Sequence, residues 1–158
     1  MITGTSYDSF LNESYPVEIV GTEALDNSTP GLYVISAKAT NKFGFYSKQN
    51  VYVAVTNVSP NVHLEGPYIR GTYKVDVERL ANGLYSISNF FGVAGLDAKA
   101  FFAHLNDTTI VMPPQETSLG HLETSGNKLL MVPGGDTTIR WVLETITSNR
   151  TPRIFRKL

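Results

Sequence analysis

Between Pro30 and Asn57 the chain alternates apolar and polar positions almost without a break. Tyr33, Ile35, Ala37 and Ala39 fall on one side, and Leu32, Ser36, Lys38 and Thr40 on the other. A two-residue period puts successive side chains on opposite faces, so this is the signature of a half-buried strand. Asn41 to Gly44 then reads as a turn, and Val51, Val53 and Val55 alternate on the return. "YPVEIV" (15–20) reads as an earlier strand. A one-residue slip would turn the whole apolar set to solvent, so the register is well specified.

The same period recurs in "GTYKVDVERLANGLYSISNFFG" (71–92), with Asn82-Gly83 at its centre. Asn-Gly tolerates the positive φ of a type I′ turn and is a strong hairpin signal. Further turns are expected at Asn106-Asp107, at Ser125-Gly126-Asn127 and at Gly134-Gly135-Asp136. "TPRIFRKL" (151–158) reads as a closing strand. Helical spacing of apolar residues is hard to find in any window. Thr, Val, Ile, Tyr and Phe fill the periodic stretches, as a pleated surface favours. The pattern therefore predicts an all-β chain. Residues 1–59 form a first domain, and residues 60–67, with Pro60, Pro67 and Gly66, form a linker. Residues 68–158 form an antiparallel meander, a barrel or a sandwich.

Two resemblances sharpen this. "STPGLYVISAKATNKFGF" (28–45) resembles the end of a bacterial immunoglobulin-like domain, with its Pro-Gly-x-Tyr strand and Asn-x-x-Gly turn. Such a domain has about 80–100 residues in seven strands. The first domain is therefore expected to be a partial Ig-like β-sandwich, abbreviated or with its first strands upstream of Met1. "GTYKVDVERLANGLYSISNFFG", followed by "TTIRWVLE" and a short last strand, is similar to the C-terminal β-domain of surface lipoproteins of Bacteroides and relatives. That domain is lipocalin-like or barrel-like. The resemblance implies an exported, membrane-anchored protein associated with glycan-utilisation systems. Its expected partners are a polysaccharide or oligosaccharide and other surface proteins of a glycan-uptake system. Contact with a membrane is expected only through a lipid anchor that this chain lacks, and "MITGTSYDSF" shows no leader pattern.

Composition narrows the chemistry. The chain has 158 residues, 42% hydrophobic and 17% charged, with formal net charge −1. That balance gives no general attraction to nucleic acid or to anionic lipid. With no cysteine there is no disulfide, thiolate catalysis or cysteine-bound zinc. No apolar run reaches the roughly 20 residues of a membrane helix. His63, His104 and His121 lack metal-ligand spacing, so no metal and no cofactor are expected. Asp76 and Glu78 share a strand face with Lys74 and read as a charged exterior, although paired carboxylates can also be catalytic. Asp26 and Asn27 offer too few oxygens for calcium and read as a turn. No nucleophile elbow, P-loop or dinucleotide motif is present, and no enzyme is expected.

Aromatic residues remain: one Trp, eight Tyr and eight Phe. Aromatic faces stack on sugar C–H groups while rim polar groups take the hydroxyls. Strand parity places Tyr73, Tyr85, Phe101 and Trp141 with the core. It leaves Phe90 and Phe102 on the other face, with His104 and Asn89 nearby. Those four form the sequence's candidate ligand surface. The competing account is that this face too is buried, or makes a dimer contact. The expected function is glycan binding, or an accessory role in polysaccharide capture, without catalysis. The alternatives are a spacer or protein-interaction scaffold, and a hydrophobic-ligand carrier using a barrel interior.

Overall fold

In a computed structural model, residues 3–95, 98–131, 137–144 and 152–158 are described. The chain is all-β, and among the described residues the one helical element is a single 3-10 turn at Thr22–Ala24. It divides into two compact units, residues 1–55 and 56–158.

The first unit is one antiparallel sheet of β1 (Thr5–Asp8), β2 (Glu13–Val20), β3 (Gly31–Thr40) and β4 (Tyr46–Val55), in that order. The alternation read from the sequence sets the register: Tyr33 pairs with Val53, Ile35 with Val51 and Ala37 with Gln49. Gly44, at φ +84, closes the β3–β4 turn and donates its N–H to the Asn41 carbonyl at 3.0 Å. Asn41 Oδ1 accepts the N–H groups of Phe43 and Phe45, so this one side chain holds the whole loop. Ile35, at 3% exposure, is the unit's one deeply buried apolar side chain among the described residues. The expected sandwich takes the form of a single layer here: no second sheet is present among the described residues of this unit.

The second unit contains β5 (Gly66–Arg70), β6 (Tyr73–Ala81), β7 (Leu84–Ile87), β8 (Ala100–Asn106), β9 (Thr109–Val111), β10 (Gln115–Thr117), β11 (Gly120–Leu122), β12 (Thr124–Leu130), β13 (Thr138–Leu143) and β14 (Pro152–Lys157). Eight of these make one sheet, ordered β12-β13-β14-β5-β6-β7-β8-β9, with β10 and β11 as a separate hairpin. The Leu129 N–H donates to the Thr108 carbonyl at 3.1 Å and ties the two ends of the sheet together. This is the meander of an up-and-down barrel, in which β14 pairs with β5 to complete the cycle.

The barrel interior is filled by rings. Trp141 meets Phe90, Phe102 and Phe155 with centroids 5.5, 5.2 and 5.6 Å apart, and Phe102 stacks on Tyr85 at 5.4 Å. Leu64 is buried and accepts the Tyr68 hydroxyl at its carbonyl. Residues 60–67 are thus part of the second unit rather than a free connection, and Gly66 and Pro67 begin β5.

Two turn readings change. Gly83 has φ +73 but Asn82 is not at positive φ, so the turn is not type I′, and a register shift between Arg79 and Ala81 absorbs the difference. The expected turn at Ser125–Asn127 is instead a bulge inside β12. Gly134-Gly135-Asp136 lies outside the described residues.

Candidate functional site

The four residues singled out from the sequence do not form a surface. Phe90, Phe102 and His104 are all at 0% exposure. Two local features explain the reversal. Asn89 takes φ +41, which breaks the alternation between Ser88 and Phe90 and swings Phe90 inward. On β8 the apolar Ala103 and Leu105 suggested the core face, yet both faces are covered there. The segment after Val55 runs beside β8, with the Asn57 N–H donating to the Leu105 carbonyl at 2.8 Å and Val58 buried. Phe102 and His104 therefore point inward, and Phe101, expected in the core, is 45% exposed. Tyr73, also expected inside, is 40% exposed at the start of β6. Asn89 is a loop staple: its amide donates to the Val93 carbonyl, and its carbonyl accepts the Val93 N–H. Trp141 is core, as its parity indicates.

Exposed aromatics gather instead on the first unit. Tyr7, Phe45 and Tyr46 are 60%, 74% and 65% exposed and border one recess. The recess, about 320 Å³, is also lined by Asp8, Tyr15 and Asn41. A second recess, about 480 Å³, shares Ser6, Ala39 and Ser47 with it and continues along Val17, Ala37 and Gln49. Residues of both outer strands, β1 and β4, line each recess, so the sheet curls around a groove with a floor of small side chains.

The sequence builds this groove end from two tight turns. Asp8 Oδ1 accepts the N–H groups of Phe10 and Leu11, and Asn12 takes φ +55 to bring the chain back into β2. The Tyr7 hydroxyl donates to Asn12 Oδ1, which fixes the ring at the rim. Asn41 Nδ2 donates to Asp8 Oδ2 at 3.2 Å and joins the two turns. That bond, helped by the backbone donors, holds the Asp8 carboxyl below its usual pKa. The Lys42 ammonium, 2.6 Å from Glu13, does the same for Glu13, with the Tyr15 hydroxyl also donating to it at 2.5 Å. Lys38 Nζ stands 4.9 Å from the centre of the Tyr46 ring, a cation–π contact.

The arrangement offers flat apolar rings beside ionised carboxylates, amide groups and hydroxyls, a combination suited to polyhydroxylated ligands. Sequence reading identified the Asn41–Gly44 turn but not the aromatics that flank it. The available signal was "KFGFYS", three aromatics within four positions at a turn, where no strand can bury them all.

Other candidates resolve into structural roles. Asp26 accepts the Ser28 hydroxyl at 2.6 Å and the Ser28 N–H at 2.8 Å, as an Asx turn does, and these bonds pull its carboxyl down to about 2. Asp76 and Glu78 are exposed on β6, and Glu78 pairs with Lys99 at 3.3 Å. His63 and His121 pair with Glu65 and Glu116, each at 2.7 Å. Among the described residues no group of three metal-ligating side chains occurs, and no helix is long and apolar enough to cross a membrane.

No family model and no curated protein matches the chain. Among solved structures it is similar to the lipoprotein BT2262 from Bacteroides thetaiotaomicron. The identity is 20%, the alignment covers 93% of this chain and 89% of that one, and the TM-score is 0.43.

Proposed function

We propose that this is a non-catalytic cell-surface protein that binds glycan through the aromatic groove of its first unit. The observation that carries the reading is the grouping of Tyr7, Phe45 and Tyr46, all more than half exposed, around Asp8 and Asn41. Large aromatic side chains left in water at one spot mark a contact surface. The sequence resemblance to Bacteroides-type surface lipoproteins supports the location and the substrate class. The barrel interior, filled by Trp141 and its neighbouring rings, speaks against carriage of a hydrophobic ligand.

A glycan array on the intact protein is the test, followed by calorimetry on any hit. Tyr46→Ala and Phe45→Ala are each expected to weaken binding about threefold to tenfold, the loss of one stacked ring. Phe101→Ala, on the other unit, should leave it unchanged. A silent array with folded protein overturns the reading.

One observation favours a second reading, a protein-interaction scaffold. β4 is ten residues long and has β3 as its only strand partner among the described residues. A long unpaired edge is a template for another strand. Size-exclusion chromatography with light scattering over a concentration series separates the two: concentration-dependent association alongside a silent array selects the scaffold.

A further inference from the structure

At one end of the barrel the inward-facing positions are occupied by arginines. Phe155 on β14 points into the core, so Arg153, two residues earlier, shares its face. Tyr68 on β5 does the same for Arg70. β14 lies beside β5 with Arg156 opposite Ile69, so the two arginines are diagonal neighbours on the inner surface. Across the next strand Arg153 is paired with Trp141.

These three residues present donors and no acceptor. Arg70 is pinned: its Nη1 donates to the Phe91 carbonyl at 2.6 Å. Gly92, at φ +62, makes room for it, since a Cβ there would lie 2.3 Å from Arg70 Nη1. The Nε of Arg153 is buried without a hydrogen-bond partner, and so is Nε1 of Trp141. No carboxylate among the described residues pairs with either guanidinium. Burial lowers the pKa of both arginines, and Arg70 is lowered further by Arg153 itself. Two half-buried like charges without a counter-charge cost free energy, and an indole N–H and a guanidinium donate hydrogen bonds but accept none.

We propose that this barrel end is an anion site, in which Arg70, Arg153 and Trp141 take a small carboxylate-bearing ligand. A planar carboxylate matches the guanidinium fork and supplies the acceptor that Arg153 Nε and Trp141 Nε1 lack. The site is separate from the aromatic groove and stands whether or not that groove binds glycan.

Trp141 is the sole tryptophan, so intrinsic fluorescence reads this site directly. The experiment titrates the intact protein with sodium glucuronate, sodium acetate, sodium sulfate and glucose at constant ionic strength. Saturable change with glucuronate but not with glucose is expected. An equal response to acetate and sulfate identifies any small oxyanion as the ligand, and a response to glucuronate alone identifies a sugar acid. Arg153→Met should weaken binding about 10- to 100-fold, the loss of a charge-assisted pair. Arg153→Lys, which keeps the charge without the fork, should fall between. Should both variants unfold, the indole N–H resonance of the unaltered protein gives the answer, since it must shift saturably with glucuronate. No saturable response to any of the anions from folded protein, or the same response to glucose, overturns the proposal.

Discussion

His104 shows what one buried side chain can do to a stability curve. Its ring is fully enclosed, and loss of hydration lowers its pKa below the ordinary histidine value. Above about pH 6.5 the residue is neutral whether the chain is folded or not, so its contribution to stability is intact. As pH falls through 6.5 the unfolded chain takes up the proton first, and stability is lost until the folded value is reached. Urea denaturation at pH 8 and pH 5 should therefore show the second unit less stable at the lower pH. His104→Leu should flatten that difference; an unchanged slope would remove His104 as its cause. At Gly92 the expected effect is conformational. A left-handed φ costs an L-residue about 1–2 kcal/mol, and a methyl there would push aside the end of the Arg70 side chain and its bond to the Phe91 carbonyl. Gly92→Ala should cost at least that much, while Gly95→Ala, also at positive φ but in open space, should cost only the conformational part. Residue-scale roles were the least legible in the sequence. Asn89 and the strand run from Phe101 to Leu105 gave true alternation signals, but a positive φ at the first and a second covering segment at the other reversed the inward face.

Strands and turns were far more legible. The β3–β4 hairpin follows from period, turn residues and valine spacing alone, because one apolar face and one Asn-x-x-Gly turn admit a single register. β12 was not legible as one strand, since a bulge and a turn share the same Ser-Gly-Asn chemistry. β4 carries the prediction at this scale. Lys48, the exposed third residue of this edge, is a charge of the kind that discourages strand addition. Lys48→Val should raise self-association, measured by sedimentation velocity across a concentration series. A variant that stays as monodisperse as the parent would mean that the edge is protected by something other than this lysine.

At the scale of the whole molecule, burial is unevenly shared. Among the described residues, every apolar residue of the core apart from Ile35 lies between Val58 and Phe155. Residues 56–158 expressed alone should fold, with Trp141 emission blue-shifted against the denatured chain and a single cooperative transition. Residues 1–55 alone should melt broadly, since a single sheet with one deeply buried side chain is marginal in water. Within the folded fragment Phe102→Ala should cost about 3–5 kcal/mol, because its ring touches both Tyr85 and Trp141. The two-unit organisation was visible in the change of pattern near residue 60. The division falls earlier, after Val55, because Val58 and Leu64 are core residues in a stretch whose prolines suggested a connector.

The pairing of β14 with β5 has a consequence for the order of events during folding. Tyr68 finds its partner in Lys157, nearly the whole unit away along the sequence. Hairpins from β5 to β9 can form as soon as their own residues are available, but the cycle stays open until β14 has been made. During synthesis on a ribosome, Phe90, Phe102 and Trp141 must therefore wait in a half-built cup with wet aromatic faces. Folding with so much long-range pairing is slow, and exposed partly formed sheets are prone to aggregate. The barrel is thus a fold whose yield depends on its final strand arriving promptly, and a chaperone that holds the open cup would matter more to it than to a protein of equal size built from local contacts.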